Sequence, residues 1–358
     1  MVGERIRQVR EIMGWTQLEL AEVLGVVQSA VAQIESGSYA PSDSALLRLA
    51  FKTGFDLRFF RQSNPPAQFP LGTFLYRAQA KVSAKDRAKA HRYAQLIFEF
   101  VLRMRDQLKP IPVLLPRSTE GPVVTARIVR AAMGLSPDSP ITNVTSAIER
   151  LGVVVLELPN ELEGLDGFSS WVGINAQLPV MCLIGNKIGY RQRFTMGEEL
   201  GHLSMHYPYS GTVKEADEEA RRFAGELLLP ESGFRPDLFT PLTLSSLVPL
   251  KRKWKVSYQF MIRRAADLKM ISPNQYKYLS MQIATRKWRK EEPGDTAVVQ
   301  ERPKAIRAMV NLLYSDQPKL DQLRQDAMGL PANLIQFLAS GAAKTGSVQT
   351  LQFPHPQT

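Results

Sequence analysis

The first sixty residues are cut by glycines into lengths that only a cluster of short helices can use. Ile6, Val9 and Ile12–Met13 recur on one face of a 3.6-residue period, and Gly14 ends that run. Thr16 follows as an N-cap with Glu19 three residues on, the spacing of a capping box. Leu18, Ala21 and Leu24 make a second apolar stripe, closed by Gly25. A third short helix is expected from about Gln28 to Glu35, stopping at Gly37. Pro41 and Ser42 open a fourth, with Leu46, Leu47 and Ala50 inward. Two short helices joined by a glycine-containing turn are the helix-turn-helix plan.

The run R-x-x-R-x-x-x-G-W-T-Q-x-x-L-A-x-x-L-G-V-x-Q-S-A-V-x-x-I-E-S-G, residues 7–37, closely resembles the XRE (Cro/cI-type) helix-turn-helix domain. The resemblance covers nearly all of residues 1–60. It implies that the helix beginning near Gln28 is the recognition helix, with Gln28, Ser29 and Gln33 facing base edges. It places Arg10 and Gln17 on phosphates. Val27 stands where that family often has Ser, and losing a polar N-cap costs about 1 kcal/mol. The implied partner is a double-stranded DNA operator, read by a homodimer on two half-sites. The alternative is a small helical domain that no longer binds DNA.

Charge is distributed unevenly. The 358-residue chain carries a net charge of +11, yet residues 1–60 hold six basic and seven acidic side chains. Residues 77–130 hold twelve basic and four acidic, and residues 251–290 twelve basic and one acidic. Such an excess suits polyanion partners. The single cysteine, Cys182, excludes an intrachain disulfide and is expected as a buried small apolar residue. No apolar run approaches the roughly 20 residues of a membrane span, and MVGERIRQVR leads into no apolar signal segment. A cytoplasmic protein without membrane contact is expected.

Two proline-rich stretches, 61–73 and 110–122, read as linkers. Between them Tyr93, Leu96, Ile97, Phe100, Val101 and Met104, preceded by Phe74 and Leu75, recur at helical spacing. Arg77, Lys81, Lys85, Arg87, Lys89 and Arg92 make that helix basic, either to touch DNA backbone or as a solvated face. His91 on it is expected to be a surface or packing residue. Helices follow at about 123–134 and 142–151. Short strands are expected at 153–156, 167–173 and 179–185, and the order of elements suggests an α+β domain.

Residues 193–206, RFTMGEELGHLSMH, come next. Positions four apart project from one helix face, which is why H-E-x-x-H brings two imidazoles to one zinc while the Glu between them activates water. Here Glu199 holds the base position, His202 the second ligand position, and Glu198 stands where the first histidine would be. The runs R-F-T-x-x-x-E-L-G-H-L-x-x-H and E-A-x-x-F-A-x-x-L-L-x-P, with GFSSWVG upstream, resemble the ImmA/IrrE-type metallopeptidase family over about 125–295. That resemblance implies a zincin-like fold and maps the third metal ligand onto Glu219, with Glu215 and Glu218 as lesser candidates.

Three readings of this helix stay open. Glu198, His202 and Glu219 bind a metal weakly, with zinc giving way toward manganese because two carboxylates harden the site. Or no metal binds and the cleft is a sensor pocket or interaction surface. Or one substitution interrupts a chain otherwise built for proteolysis. His206 is read as a helix-end histidine, offset from the face of residue 202.

Lys251-Arg252-Lys253-Trp254-Lys255 and Arg286-Lys287-Trp288-Arg289-Lys290 suit either phosphate contact with stacking or packed tryptophans with solvated charges. Residues 300–340 are expected to form two or three helices before a polar tail containing His355.

The reading as a whole is a mainly α chain in four parts. These are a helix-turn-helix domain (1–60), a linker and basic helical segment (61–122), a peptidase-like α+β domain (123–295), and a C-terminal helical region with tail (296–358). The expected function is a sequence-specific DNA-binding transcription regulator whose degenerate peptidase-like domain serves sensing or oligomerisation, with a small-molecule effector or protein partner. The alternatives are an active metal-dependent peptidase that cleaves a repressor, and an antitoxin-like or phage-repressor-like partner-binding protein.

Overall fold

A computed structural model describes residues 2–62, 83–108, 112–158, 166–173, 175–184, 188–208, 210–239, 241–289, 291–314, 322–323, 326–327 and 329–340. Most of linker 61–73, together with Phe74, Leu75, Arg77, Lys81, the side chain of Arg87 and the tail with His355, lies outside the described residues. The chain is mainly helical, with one three-stranded sheet.

The N-terminal domain is α1 (Val2–Met13), α2 (Gln17–Leu24), α3 (Gln28–Ser36), α4 (Asp43–Thr53) and α5 (Leu57–Phe60). Thr16 and Glu19 cap α2 reciprocally, and Gly25 closes it at φ 66°, a left-handed conformation that costs glycine least. Val27 precedes α3 with no side-chain cap, whereas Ser42 caps α4 through the Ala45 amide. Ile6, Val9, Leu20, Leu24, Val31, Ile34 and Leu49 are wholly buried. Leu18 and Leu47, expected inward, are instead about half exposed. Each lies one helical position away from the buried stripe of its helix.

Helix α6 (Ala84–Asp106) binds this domain to the rest. From Ala90 to Met104 it buries apolar side chains on nearly every side, the mark of a helix enclosed by other elements. Arg92 meets Glu4 at 2.8 Å and Glu11 at 2.5 Å on α1, and Arg5 of α1 reaches back to Glu99 at 2.9 Å. Arg92 is therefore neither a DNA contact nor part of a solvated face. The second proline-rich stretch, in its described part, lies along the domain surface. Its Leu114 amide bonds Leu151 O at 2.9 Å and its Ser118 amide bonds Ser204 O at 3.0 Å.

After α7 (Pro122–Ala132) and α8 (Val144–Arg150) come β1 (Val154–Leu158), β2 (Gly167–Val172) and β3 (Leu178–Ile184). The sheet order is β1-β3-β2, with β1 parallel and β2 antiparallel to the central strand. Both faces are covered, so β2 and β3 are buried at every residue and their sequences do not alternate. Phe168, Val180, Cys182 and Ile184 join one core with α6 and the helix-turn-helix residues. Trp171, Met181 and Leu183 join a second core under α9 (Gly189–Met205).

Helix α10 (Val213–Leu228) packs on α9 at close range, because a Cβ at Gly197 or Gly201 would come within 3.0 Å of Ala224 or Phe223. Helices α11 (Glu231–Asp237), α12 (Leu247–Trp254), α13 (Tyr258–Asp267) and α14 (Pro273–Thr285) complete this unit. Helices α15 (Ala305–Tyr314) and α16 (Ala332–Ser340) return to the first core. Glu301, just before α15, is buried against Arg193 of α9 and accepts from the Thr145 amide at 2.7 Å.

The first basic–tryptophan cluster, 251–255, resolves toward packing. Trp254 is wholly buried and donates to Asp237 at 2.6 Å, so it cannot serve as a stacking platform. Lys251 is buried between Glu292 at 2.8 Å and Asp295 at 2.5 Å. No described helix is long and apolar enough to cross a membrane.

Candidate functional sites: an exposed reading helix and a rearranged peptidase helix

On α3 the buried residues are Val31 and Ile34, a narrow stripe that fixes the helix to its neighbours. Gln28, Ser29, Ala32 and Gln33 are exposed on the opposite side. Among the described residues no element covers this surface, and it presents amides and a hydroxyl, which is what base-edge contact needs. Arg10 and Gln17 are placed differently. Arg10 grips Glu35 through Nε at 2.5 Å and Nη2 at 3.2 Å, and donates to Trp15 O at 3.1 Å. Gln17 Nε2 donates to the same Glu35 at 3.0 Å. Glu35 is thus a hub that ties α1, α2 and α3, a role its place in I-E-S-G did not announce.

On α9, Glu198, Glu199, His202 and His206 are all buried. Glu199 turns toward β2, where Ser169 Oγ donates to its carboxylate at 2.8 Å and to its backbone carbonyl at 3.1 Å. Glu198 sits 3.9 Å from the Arg221 guanidinium of α10. That guanidinium also pairs with Glu218 at 3.0 Å.

His206 stands at the helix end as expected, but it is not offset from the face of His202. Residues 202 and 206 are four apart, so they share a face. Their Nδ1 atoms are 2.9 Å apart, and His206 Nε2 lies 2.9 Å from Glu219 Oε2. Burial pushes the His206 imidazole below its ordinary pKa, against the opposing pull of Glu219. A neutral ring assigned from this network donates from Nε2 to Glu219 and accepts at Nδ1 from His202. Asp217 stands 3.9 Å from His202 Nε2.

A bound metal needs three or four lone pairs aimed at one point. Here Glu219 is engaged by His206, and Glu198 faces a guanidinium. Among the described residues, no group of three His, Cys, Asp or Glu side chains is placed to hold an ion. As they stand, these side chains fit neither the zinc that the resemblance implied nor the manganese that two carboxylates would favour. Cys182 is buried in the core shared with α6, and burial raises its thiol pKa well above the ordinary value, as inert core sulfur requires.

Residues 6–60 match the family model described as helix-turn-helix, and residues 148–266 match the one described as IrrE N-terminal-like domain. The chain thus carries one segment similar to each family. A search of curated proteins gave no match. The helix-turn-helix match spans α1 to α5, including the exposed face of α3. The IrrE-like match runs from the end of α8 through the sheet, α9 and α10 to α13, and so contains every residue of the His202–His206–Glu219 cluster. A DNA-binding module and a peptidase-like module are therefore both present in one chain.

Proposed function

We propose that this protein is a sequence-specific DNA-binding transcription regulator whose IrrE-like domain no longer cleaves peptides and serves sensing or assembly. Its working units are residues 1–60 for DNA reading, 61–122 as connection, 123–295 as the peptidase-like domain and 296–358 as the C-terminal helical region. The observation that carries the reading is the uncovered face of α3 with Gln28, Ser29 and Gln33 on it. Two copies set on half-sites about one DNA turn apart would present two such faces to a near-palindromic operator. Loss of proteolysis is supported by the way Glu198, Glu199 and Glu219 are each drawn to a different protein partner.

The test is operator selection from random duplexes, followed by binding of the Gln28→Ala/Gln33→Ala variant. Each bidentate amide–adenine contact discriminates by about 1–3 kcal/mol. The variant is expected to keep its helical circular dichroism and to bind selected and scrambled duplexes alike. Retained preference for the selected operator would remove α3 from the role.

A further inference from the structure

Beside the rearranged helix lies a cavity of about 450 Å³ between α9, α10 and α13. That is within the range of small-molecule sites. Its apolar side is formed by Phe194 and Phe260, whose rings meet edge to edge-face at 5.0 Å, and by the bare backbone of Gly225. A Cβ at Gly225 would meet only the Arg264 side chain, at 3.6 Å, so this part of the floor is open.

Four arginines and four carboxylates line the cavity, so its formal charges balance, but they are paired unevenly. Glu226 is shared between Arg264 and Arg127, and Glu231 is held by Arg235 at 2.6 Å. Arg127 and Arg235 stand outside the cavity, so two of its carboxylates are neutralised from elsewhere. Arg263 has Asp267 at 2.9 Å and Arg221 has Glu218 at 3.0 Å. Arg222 has no ion pair or side-chain hydrogen bond among the described residues. A cavity with an aromatic side and an exposed guanidinium free of ion pairs at its rim selects its ligand by chemistry.

We propose that this cavity binds a small anion with a flat apolar body, its acid group on Arg222 and its body against Phe194 and Phe260. Planar guanidinium suits carboxylate, sulfonate and phosphate alike, because two parallel N–H groups match two acid oxygens. Arg221 lines the same cavity and lies 3.9 Å from Glu198, so an anion that draws on Arg221 acts on α9 itself. The inference rests on the sensing part of the function proposed above. Its test contains no DNA, so either can fail without the other.

The probe is 1-anilinonaphthalene-8-sulfonate, titrated into the full chain by fluorescence beside N-phenyl-1-naphthylamine, the same ring system without the acid. Saturable sulfonate binding is expected, at least about tenfold tighter than the uncharged dye. Arg222→Ala is expected to weaken the sulfonate about tenfold and leave the uncharged dye unchanged. Gly225→Leu, which fills the floor, is expected to weaken both, with circular dichroism confirming the fold. Equal sulfonate binding by wild type and Arg222→Ala overturns the proposal, as does absence of saturable binding. Unchanged binding by a folded Gly225→Leu variant places the dye elsewhere and overturns it too.

Discussion

Glu219 Oε2 lies 2.9 Å from His206 Nε2, which binds the carboxylate of α10 to the last turn of α9. In a zinc-peptidase helix pair the corresponding carboxylate turns to the metal. Here the second histidine of an i, i+4 pair takes that place, and an arginine rather than an ion stands by Glu198.

Restoring the missing histidine alone is therefore not expected to rebuild a metal site. The wild-type chain and Glu198→His, purified and dialysed without chelator, are both expected to be essentially metal-free by elemental mass spectrometry. Stoichiometric zinc in Glu198→His would show that Glu219 leaves His206 readily and that the remaining ligand frame is intact.

Glu301 is a second internal anchor. Its partner Arg193 is almost wholly buried, and its carboxylate also takes the Thr145 amide. Removing one member of a buried pair strands the other charge, at about 3–5 kcal/mol. Glu301→Ala is expected to lower the thermal midpoint far more than Glu231→Ala, whose Arg235 partner is about half exposed. Equal midpoints for the two variants would show that the 301–193 contact carries no stability.

Acid stability depends on His91. Burial and the adjacent Arg92 push its pKa from 6.5 to about 4, with Glu11 opposing. Between those values the unfolded chain binds the proton more readily than the folded one. This part of the stability is present above pH 6.5 and is lost as pH falls toward 4. His91→Gln is expected to flatten the dependence of the thermal midpoint over that window. An unchanged slope would assign it to other groups.

Lys85 brings a basic side chain from outside the helix-turn-helix segment to the α1–α2 turn. It is exposed, its Cε would lie 3.3 Å from a Cβ at Gly14 in the α1–α2 turn, and it acts on the Glu19 carboxylate. Lys85→Ala is expected to weaken binding to every duplex similarly and to reduce the slope of log K against log salt by about 1. An undiminished slope would place Lys85 off the phosphate backbone.

Local chemistry was the legible part of this sequence. The Thr16–Glu19 capping box, the stops at Gly25 and Gly37 and the three strands needed only neighbours in the chain, and they appear where the residues place them. What escaped depends on partners far away in sequence. Arg92 looked like one basic residue among many until Glu4 and Glu11 of α1 met it. Trp254 looked like a platform for nucleic acid until Asp237 took its indole N–H. The His202–His206 face was written in the four-residue spacing. The competing template of H-E-x-x-H drew attention one turn upstream instead, and only packing against Glu219 gave His206 its role.

The core of the helix-turn-helix segment runs on without a break into the rest of the chain. Ile6, Leu20 and Phe60 belong to the same apolar cluster as Phe98 of α6, Cys182 of the sheet and Leu334 of α16. The helix-turn-helix segment and the rest of that core are consequently expected to melt as one unit. Severing the chain between residues 62 and 83 is expected to destabilise the helix-turn-helix fragment, because side chains of α6, the sheet and α16 join its core.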